Sequence, residues 1–269
     1  MFLVWFEKRW FTLPIVFALV VLSTACGAST DSLTADEIIQ RATSKAQKDS
    51  LLGTAYTYTK ISVTDQLDPG GKIREHKEKV WQVLLRNGST SVKLLEVNGR
   101  PPSPADLKKQ NENELNLRQV LGGSKSVSAS RDNFLTPELA ARFDFKLSGM
   151  SSIGGRPAYE LEFQPKSPEL PVHHVVDRLL NRVSGTLWID AEEFELARAD
   201  LRLGSEVEFL GGVAGRLRKL TFSLTRIRVA DGVWLNGSVA GDFEGRKLLD
   251  NMRIRMHSQS SNFRLAAAG

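Results

Sequence analysis

Val183-Ser184-Gly185-Thr186-Leu187-Trp188-Ile189-Asp190-Ala191-Glu192-Glu193-Phe194-Glu195-Leu196-Ala197-Arg198-Ala199-Asp200-Leu201-Arg202-Leu203 is the stretch whose reading decides the fold. Its first half is β-branched and aromatic, and it stops at an acidic cluster that suits a turn rather than a strand interior. From Phe194 the chain returns with Phe194, Leu196, Arg198, Asp200 and Arg202 on one side and Glu195, Ala197, Ala199, Leu201 and Leu203 on the other. That alternation predicts an antiparallel strand with one wet face. Strand patterns continue through Glu206–Leu210, Arg216–Val229, Val233–Phe243 and Asn251–Phe263, broken by Gly211-Gly212, Asp231-Gly232 and Gly245. The C-terminal third therefore reads as one antiparallel meander.

The same pattern appears upstream. Ala55–Leu67 alternates, Asp68-Pro69-Gly70-Gly71 supplies a turn, and Lys72–Arg86 returns as a long strand. Near its end Trp81, Val83 and Leu85 face one way and Val80, Gln82 and Leu84 the other, which predicts burial on both sides or a cavity wall. After Asn87-Gly88 a third strand covers Ser91–Val97. The sheet resumes at Phe143–Leu147 and turns at Gly154-Gly155, after which Tyr159, Leu161 and Phe163 alternate with Glu160, Glu162 and Gln164.

Helix signals are few. Thr34 is placed to cap a helix, Glu37 completes a capping box, and Leu33 and Ile38 have the spacing of a hydrophobic staple. The narrow stripe Ile38, Ile39, Ala42 and Ala46 predicts a helix to about Lys48, lying on a sheet surface rather than within a core. Ser103-Pro104-Ala105-Asp106 starts a charged, largely exposed helix that Gly122-Gly123 stops. Ser124–Asn133 is a polar loop, and Thr136-Pro137-Glu138 opens a short helix. In Pro165–Asn181 three prolines exclude regular strand, while Val172, Val175, Val176, Leu179 and Leu180 recur at helical spacing. That segment reads either as packing on the sheet or as a lid, with Val172, Val175, Val176 and Leu179 as its apolar stripe.

Composition bounds the function. The 269 residues, 41% apolar and 25% charged, can build a core of their own. The net charge of +5 is dispersed, with no basic run interleaved with aromatics, so nucleic acid is not an expected partner. Glu7-Lys8-Arg9 followed by the apolar run Trp10–Leu22 has the proportions of a signal peptide, 1–25, and indicates export. Leu22-Ser23-Thr24-Ala25-Cys26 resembles a bacterial lipobox. It implies acylation of Cys26 and anchoring to a membrane, the outer membrane by likeness to enterobacterial sorting. The alternative is an ordinary cleavage after Ala25 with Cys26 incidental. One cysteine excludes an internal disulfide. Residues 26–32 then form a tether, 33–264 a single domain, and 265–269 a tail.

Catalytic constellations are thin. The histidines are His76, His173, His174 and His257, and the only close pair is sequential, unlike the i, i+4 pair of a zinc helix. Gly211-Gly212-Val213-Ala214-Gly215 lies between strands rather than ahead of a helix, so it is no phosphate cradle. Asp190, Glu192 and Glu193 offer an acid/base group, against the simpler reading of an acidic hairpin turn. No metal, no cofactor and no enzymatic activity are expected.

The turns at Leu67-Asp68-Pro69-Gly70-Gly71-Lys72 and Asn98-Gly99-Arg100-Pro101, with Gly155-Arg156-Pro157-Ala158-Tyr159 and Gly185-Thr186-Leu187-Trp188-Ile189-Asp190, resemble those of the LolA/LolB superfamily of bacterial periplasmic lipoprotein carriers, to which the sigma-regulator RseB is also similar. The resemblance spans roughly Thr54 to Phe263. It implies a mainly β fold with a few helices, an incomplete antiparallel β-barrel whose concave face is covered by helices and holds acyl chains. On that face the expected ligand-binding residues are Trp81, Val83, Leu85, Leu187, Ile189, Leu220, Phe222, Leu224, Met252, Ile254 and Met256. Arg253 and Arg255, alternating with the last three, are expected in water. The implied partner is a lipid or an acylated protein, for transport or for sensing. The competing expectation is a non-catalytic scaffold whose sheet is filled by its own helices.

Overall fold

Among the described residues eleven antiparallel strands form one sheet, and turns at Gly70-Gly71, Gly154-Gly155 and Asp231-Gly232 reverse the chain onto its neighbour. The computed structural model describes residues 33–49, 55–86, 89–120, 135–167, 169–173, 175–209, 215–247 and 250–266. The expectations for the signal peptide, Cys26, the tether, the Gly122-Gly123 stop, the Ser124–Asn133 loop and Gly211–Ala214 lie outside the described residues.

The strands are β1 Tyr56–Leu67, β2 Ile73–Arg86, β3 Ser89–Val97, β4 Phe143–Ile153, β5 Arg156–Pro165, β6 Val183–Asp190, β7 Leu196–Leu203, β8 Val207–Phe209, β9 Gly215–Ala230, β10 Val233–Lys247 and β11 Asp250–Leu265. The helices are α1 Ala35–Asp49, α2 Pro104–Val120, α3 Pro137–Ala140 and α4 Val175–Leu180. The strand order is β3-β2-β1-β11-β10-β9-β7-β6-β5-β4, with β8 beside β9, and the ends β3 and β4 do not pair with each other. The sheet is an unclosed, curved barrel. β11 pairs with β1, so the two meanders seen in the sequence join through the last strand. That ladder reaches Leu265, and Ala266 N–H donates to Ala55 C=O at 2.9 Å, one to two residues into the expected tail.

The helix starts follow their caps. Thr34 N–H donates to Glu37 Oε2 at 2.8 Å, and Glu37 N–H donates to Thr34 Oγ1 at 3.3 Å, which is the reciprocal capping box. Ser103 and Asp106 make the same exchange at the start of α2, at 3.2 Å each way. Leu107 in α2 is exposed.

Ile38, Ile39 and Ala42 do not merely rest on the sheet. They lie in the main core with Leu135, Phe143, Leu161, Phe163, Val183, Leu187, Ile189, Leu196, Ala199, Leu220 and Leu224, and Ile38 is 0% exposed. The reason is that α3 and the curved strands close around the narrow stripe, so few contacts per turn still exclude water. Burying each such aliphatic side chain stabilises the fold by about 2 kcal/mol.

The alternation at the start of β7 also departs from expectation. Trp188 pairs with Arg198 and Ile189 with Leu196, so Ala197 is an extra residue, and the register shifts there. Leu196 consequently joins Ala199 on the core side instead of Arg198 on the wet side. A β-bulge reverses the phase of a period-two pattern at one residue.

Candidate functional site

The ladders place Trp81, Val83, Leu85, Leu187, Ile189, Leu220, Phe222, Leu224, Met252, Ile254 and Met256 on one face of the sheet. Leu85 lies opposite Tyr56, Ile254 opposite Phe243, Phe243 opposite Leu220, Leu224 opposite Ala199, and Ala199 opposite Leu187. This is the face that α1, α3 and α4 cover. The residues do not form one site, however. Leu187, Ile189, Leu220 and Leu224 are buried in the main core with α1, and Phe222 packs against them.

Trp81, Val83 and Leu85 belong to a second cluster with Tyr56, Tyr58, Val92, Val229, Val233, Leu235 and Phe263. Val83 is 2% exposed, whereas Trp81 and Leu85 are half-buried. On the reverse side of β2 Gln82 is exposed, and Val80 and Leu84 are half-buried. Met252, Ile254 and Met256 lie between the two clusters, all three half-buried. Arg255 is exposed and ion-paired with Asp242 at 3.3 Å, as expected of a residue in water. Arg253 is not in free water. It is half-buried and lines a cleft of about 500 Å³ with Gln66, Pro69, Arg74, Arg218 and Asp250.

Polar groups interrupt the apolar face along β1, β2 and β11. Lys60 lies opposite Trp81, Ser62 opposite Lys79 and Ser258, and Ser258 and Ser260 are buried. Trp81 Nε1 donates to Ser62 Oγ at 2.8 Å, and the Lys79 ammonium stands 5.1 Å from the Trp81 ring centre. Burial lowers the Lys79 pKa from its ordinary value, and the nearby Lys77 charge lowers it further.

At the end of the sheet formed by the β6–β7 turn, the acidic cluster is a structural junction that the sequence did not disclose. Arg156 Nε and Nη2 donate to Asp190 Oδ2 and Oδ1 at 2.6 and 3.0 Å, and Asp190 Oδ1 also accepts from the N–H groups of Glu192 and Glu193. Glu193 accepts from Arg228, from Gly232 N–H and from Trp234 Nε1, the last at 2.6 Å. Glu195 binds Arg226 at 2.8 Å and Lys45 of α1 at 3.3 Å. Burial would raise the Glu193 pKa, but the hydrogen bonds from Arg228, Trp234 and Gly232 outweigh it and hold the carboxyl at about 2. Asp190 is lowered in the same way, burial being overcome by Arg156 and the two turn amides. Carboxylates so firmly ionised and engaged are poor general acids. The ladder that pairs Ala158 with Asp190 across β5–β6 is what brings Arg156 to this turn.

The α4 segment is held by polar contacts. Arg142 donates to Asn181 Oδ1 at 2.6 Å and pairs with Asp177 at 3.7 Å, and Asn181 Nδ2 donates to Leu170 C=O at 2.8 Å. Leu179 and Leu180 pack on the main core, while Val172 is 46% exposed and adds nothing to the stripe.

His76 bonds Asp65 at 2.7 Å, and no cluster of three or more metal-ligating side chains exists among the described residues. Among them no helix is long and apolar enough to cross a membrane.

No protein-family model matches the chain, and no curated protein sequence does. Solved structures do. A LolA superfamily protein from Nitrosomonas europaea is 14% identical, with 88% of this chain and 96% of that one covered at a TM-score of 0.38. A putative outer membrane lipoprotein-sorting protein domain from Vibrio parahaemolyticus is 12% identical, with 86% and 93% covered at 0.34. The lipoprotein LppX of Mycobacterium tuberculosis is 10% identical, with 86% and 97% covered at 0.30. These structures include the superfamily that the turn motifs resemble, and at such scores they assign no residue roles here.

Proposed function

We propose that this protein is an exported bacterial envelope lipoprotein, acylated at Cys26, that binds a lipid or acyl group on the inner face of its open sheet for transport or sensing. One observation carries the reading. The fully buried core under α1 gathers on β4–β7 and β9, and beside it, over β10, β11 and β2, the inner face keeps Trp81, Leu85, Phe243, Ile254 and Met256 half-buried. Apolar groups left half-wet next to a closed core favour a hydrocarbon guest, at roughly 0.8 kcal/mol per buried CH₂. The binding set thereby narrows to Trp81, Leu85, Met252, Ile254 and Met256, with Val83 buried between the first two. Methionines suit a cargo of variable shape.

Leu187, Ile189, Leu220 and Leu224 favour a second reading, because their burial under α1 is what a self-filled scaffold would have. Mass spectrometry of organic extracts from the purified protein separates the two. Acyl species in stoichiometric amount, lost in Ile254→Asp and kept in Arg255→Asp, support binding. Empty extracts from the wild type leave the scaffold.

A further inference from the structure

Lys79 is an amine with no direct ion pair among the described residues. It points to the inner face of β2, opposite Ser62, and its ammonium makes no hydrogen bond or ion pair among the described residues. Its immediate neighbour on that face, Lys77, is neutralised by Asp106 of α2 at 3.4 Å. Lys79, half-buried, has only the longer-range attraction of that same Asp106, against the repulsion of Lys77 and Lys109, so three cations share one carboxylate. A partly desolvated cation beside other cations, with no acceptor in direct contact, is a ready partner for a further anion. The Trp81 ring beneath it supplies a cation–π contact, which a bound anion leaves intact.

The surroundings define the anion. Along β2 from Lys79 the strand itself is apolar on this face at Trp81, Val83 and Leu85, with Lys60 opposite Trp81 and then Tyr58 and Phe263, whose rings stand 5.2 Å apart. Six residues of strand separate Lys79 from Leu85, about 20 Å. A fixed charge at one end of an apolar track of that length matches an amphiphile with its head at one end and one long chain.

We propose that Lys79 is the headgroup site of the inner face, taking the carboxylate or phosphate of an anionic single-chain amphiphile whose hydrocarbon lies along the half-buried Trp81 and Leu85. This rests on the acyl-binding reading above and adds to it the sign of the cargo's charge.

The test is calorimetric binding of palmitate, methyl palmitate and palmitoyl lysophosphatidate to the purified protein, to Lys79→Gln and to Lys79→Arg. The wild type should bind at least one of the two anions roughly tenfold more tightly than the ester, the scale of one charge-assisted hydrogen bond. Lys79→Gln should lose that preference while keeping its affinity for the ester, which also reports that it is folded, and Lys79→Arg should restore it. The ratio of palmitate to lysophosphatidate affinity identifies carboxylate or phosphate as the preferred head. Equal binding of anions and ester by the wild type, or a preference that survives in Lys79→Gln, overturns the headgroup site and leaves acyl binding standing. Failure of all three probes to bind the wild type overturns acyl binding itself, and the headgroup site with it.

Discussion

Arg156 and Asp190 meet through two parallel hydrogen bonds, and Asp190 is 1% exposed although it lies at the start of a hairpin turn. The pair ties the start of β5 to the end of β6, and the turn amides of Glu192 and Glu193 depend on the same carboxylate. Asp190→Ala leaves a guanidinium and two N–H groups without their acceptor, and should cost about 3 kcal/mol in chemical denaturation. Asp190→Asn keeps an oxygen for the turn and should cost less. A loss within the ~0.5 kcal/mol typical of a surface substitution would mean that the cluster is an ordinary solvated turn.

Acid should unfold the protein partly through Glu193. Its folded pKa of about 2 lies below the ordinary 4.5, so the carboxylate stabilises the fold above pH 4.5 and the benefit is lost as the pH falls from there through 2. Thermal melts of Glu193→Gln and wild type between pH 7 and pH 2 should converge as the acid end is approached. A constant gap across that range would show that the charge of Glu193 contributes nothing.

Two glycines in the sheet differ in what surrounds them. A Cβ on Gly185 would lie 2.0 Å from the Asp200 carbonyl oxygen, which is backbone held in the β6–β7 ladder. On Gly237 it would meet Cγ1 and Cδ1 of Ile227, side-chain atoms that can shift more readily than backbone. Gly185→Ala should therefore cost about 3 kcal/mol, and Gly237→Ala distinctly less. Comparable urea midpoints for the two variants would contradict the close approach of β6 to β7.

For α4 the decisive contacts are polar. If the segment opens as a lid, it does so by releasing Arg142 from Asn181 and Asp177. Arg142→Met should raise amide exchange over residues 170–182 and leave β5 to β7 protected. Uniform deprotection of the domain would instead make α4 part of the cooperative core, and the expected lid would have to be given up.

Sheet and helix starts were legible in the sequence because each has a local cause. Thr34 with Glu37 and Ser103 with Asp106 cap their helices within three residues, and Gly71, Gly99 and Gly155 take the left-handed angles their turns require. What escaped is non-local or breaks a period. The Ala197 bulge reverses the phase of β7, so strict alternation put Leu196 on the wrong side. Arg228 and Trp234 reach Glu193 from a hairpin more than thirty residues away. One-faced patterning identified the apolar side of the sheet, yet it was silent on which part α1 would cover. Ile38 at the centre of the core and Ile254 at its half-wet margin read alike in sequence.

The unpaired ends of the sheet, β3 and β4, have a mechanical consequence. A closed barrel has a bore set by its strand number and shear, and cannot change it without breaking a ladder. Here no ladder closes the ring, and β7 joins β9 through only five residue pairs, Arg198 to Arg202. A small change of twist across that short seam moves one end of the sheet relative to the other without rupturing a hydrogen bond. The sheet is thus an open clip rather than a tube, and its bore is not fixed by strand number and shear.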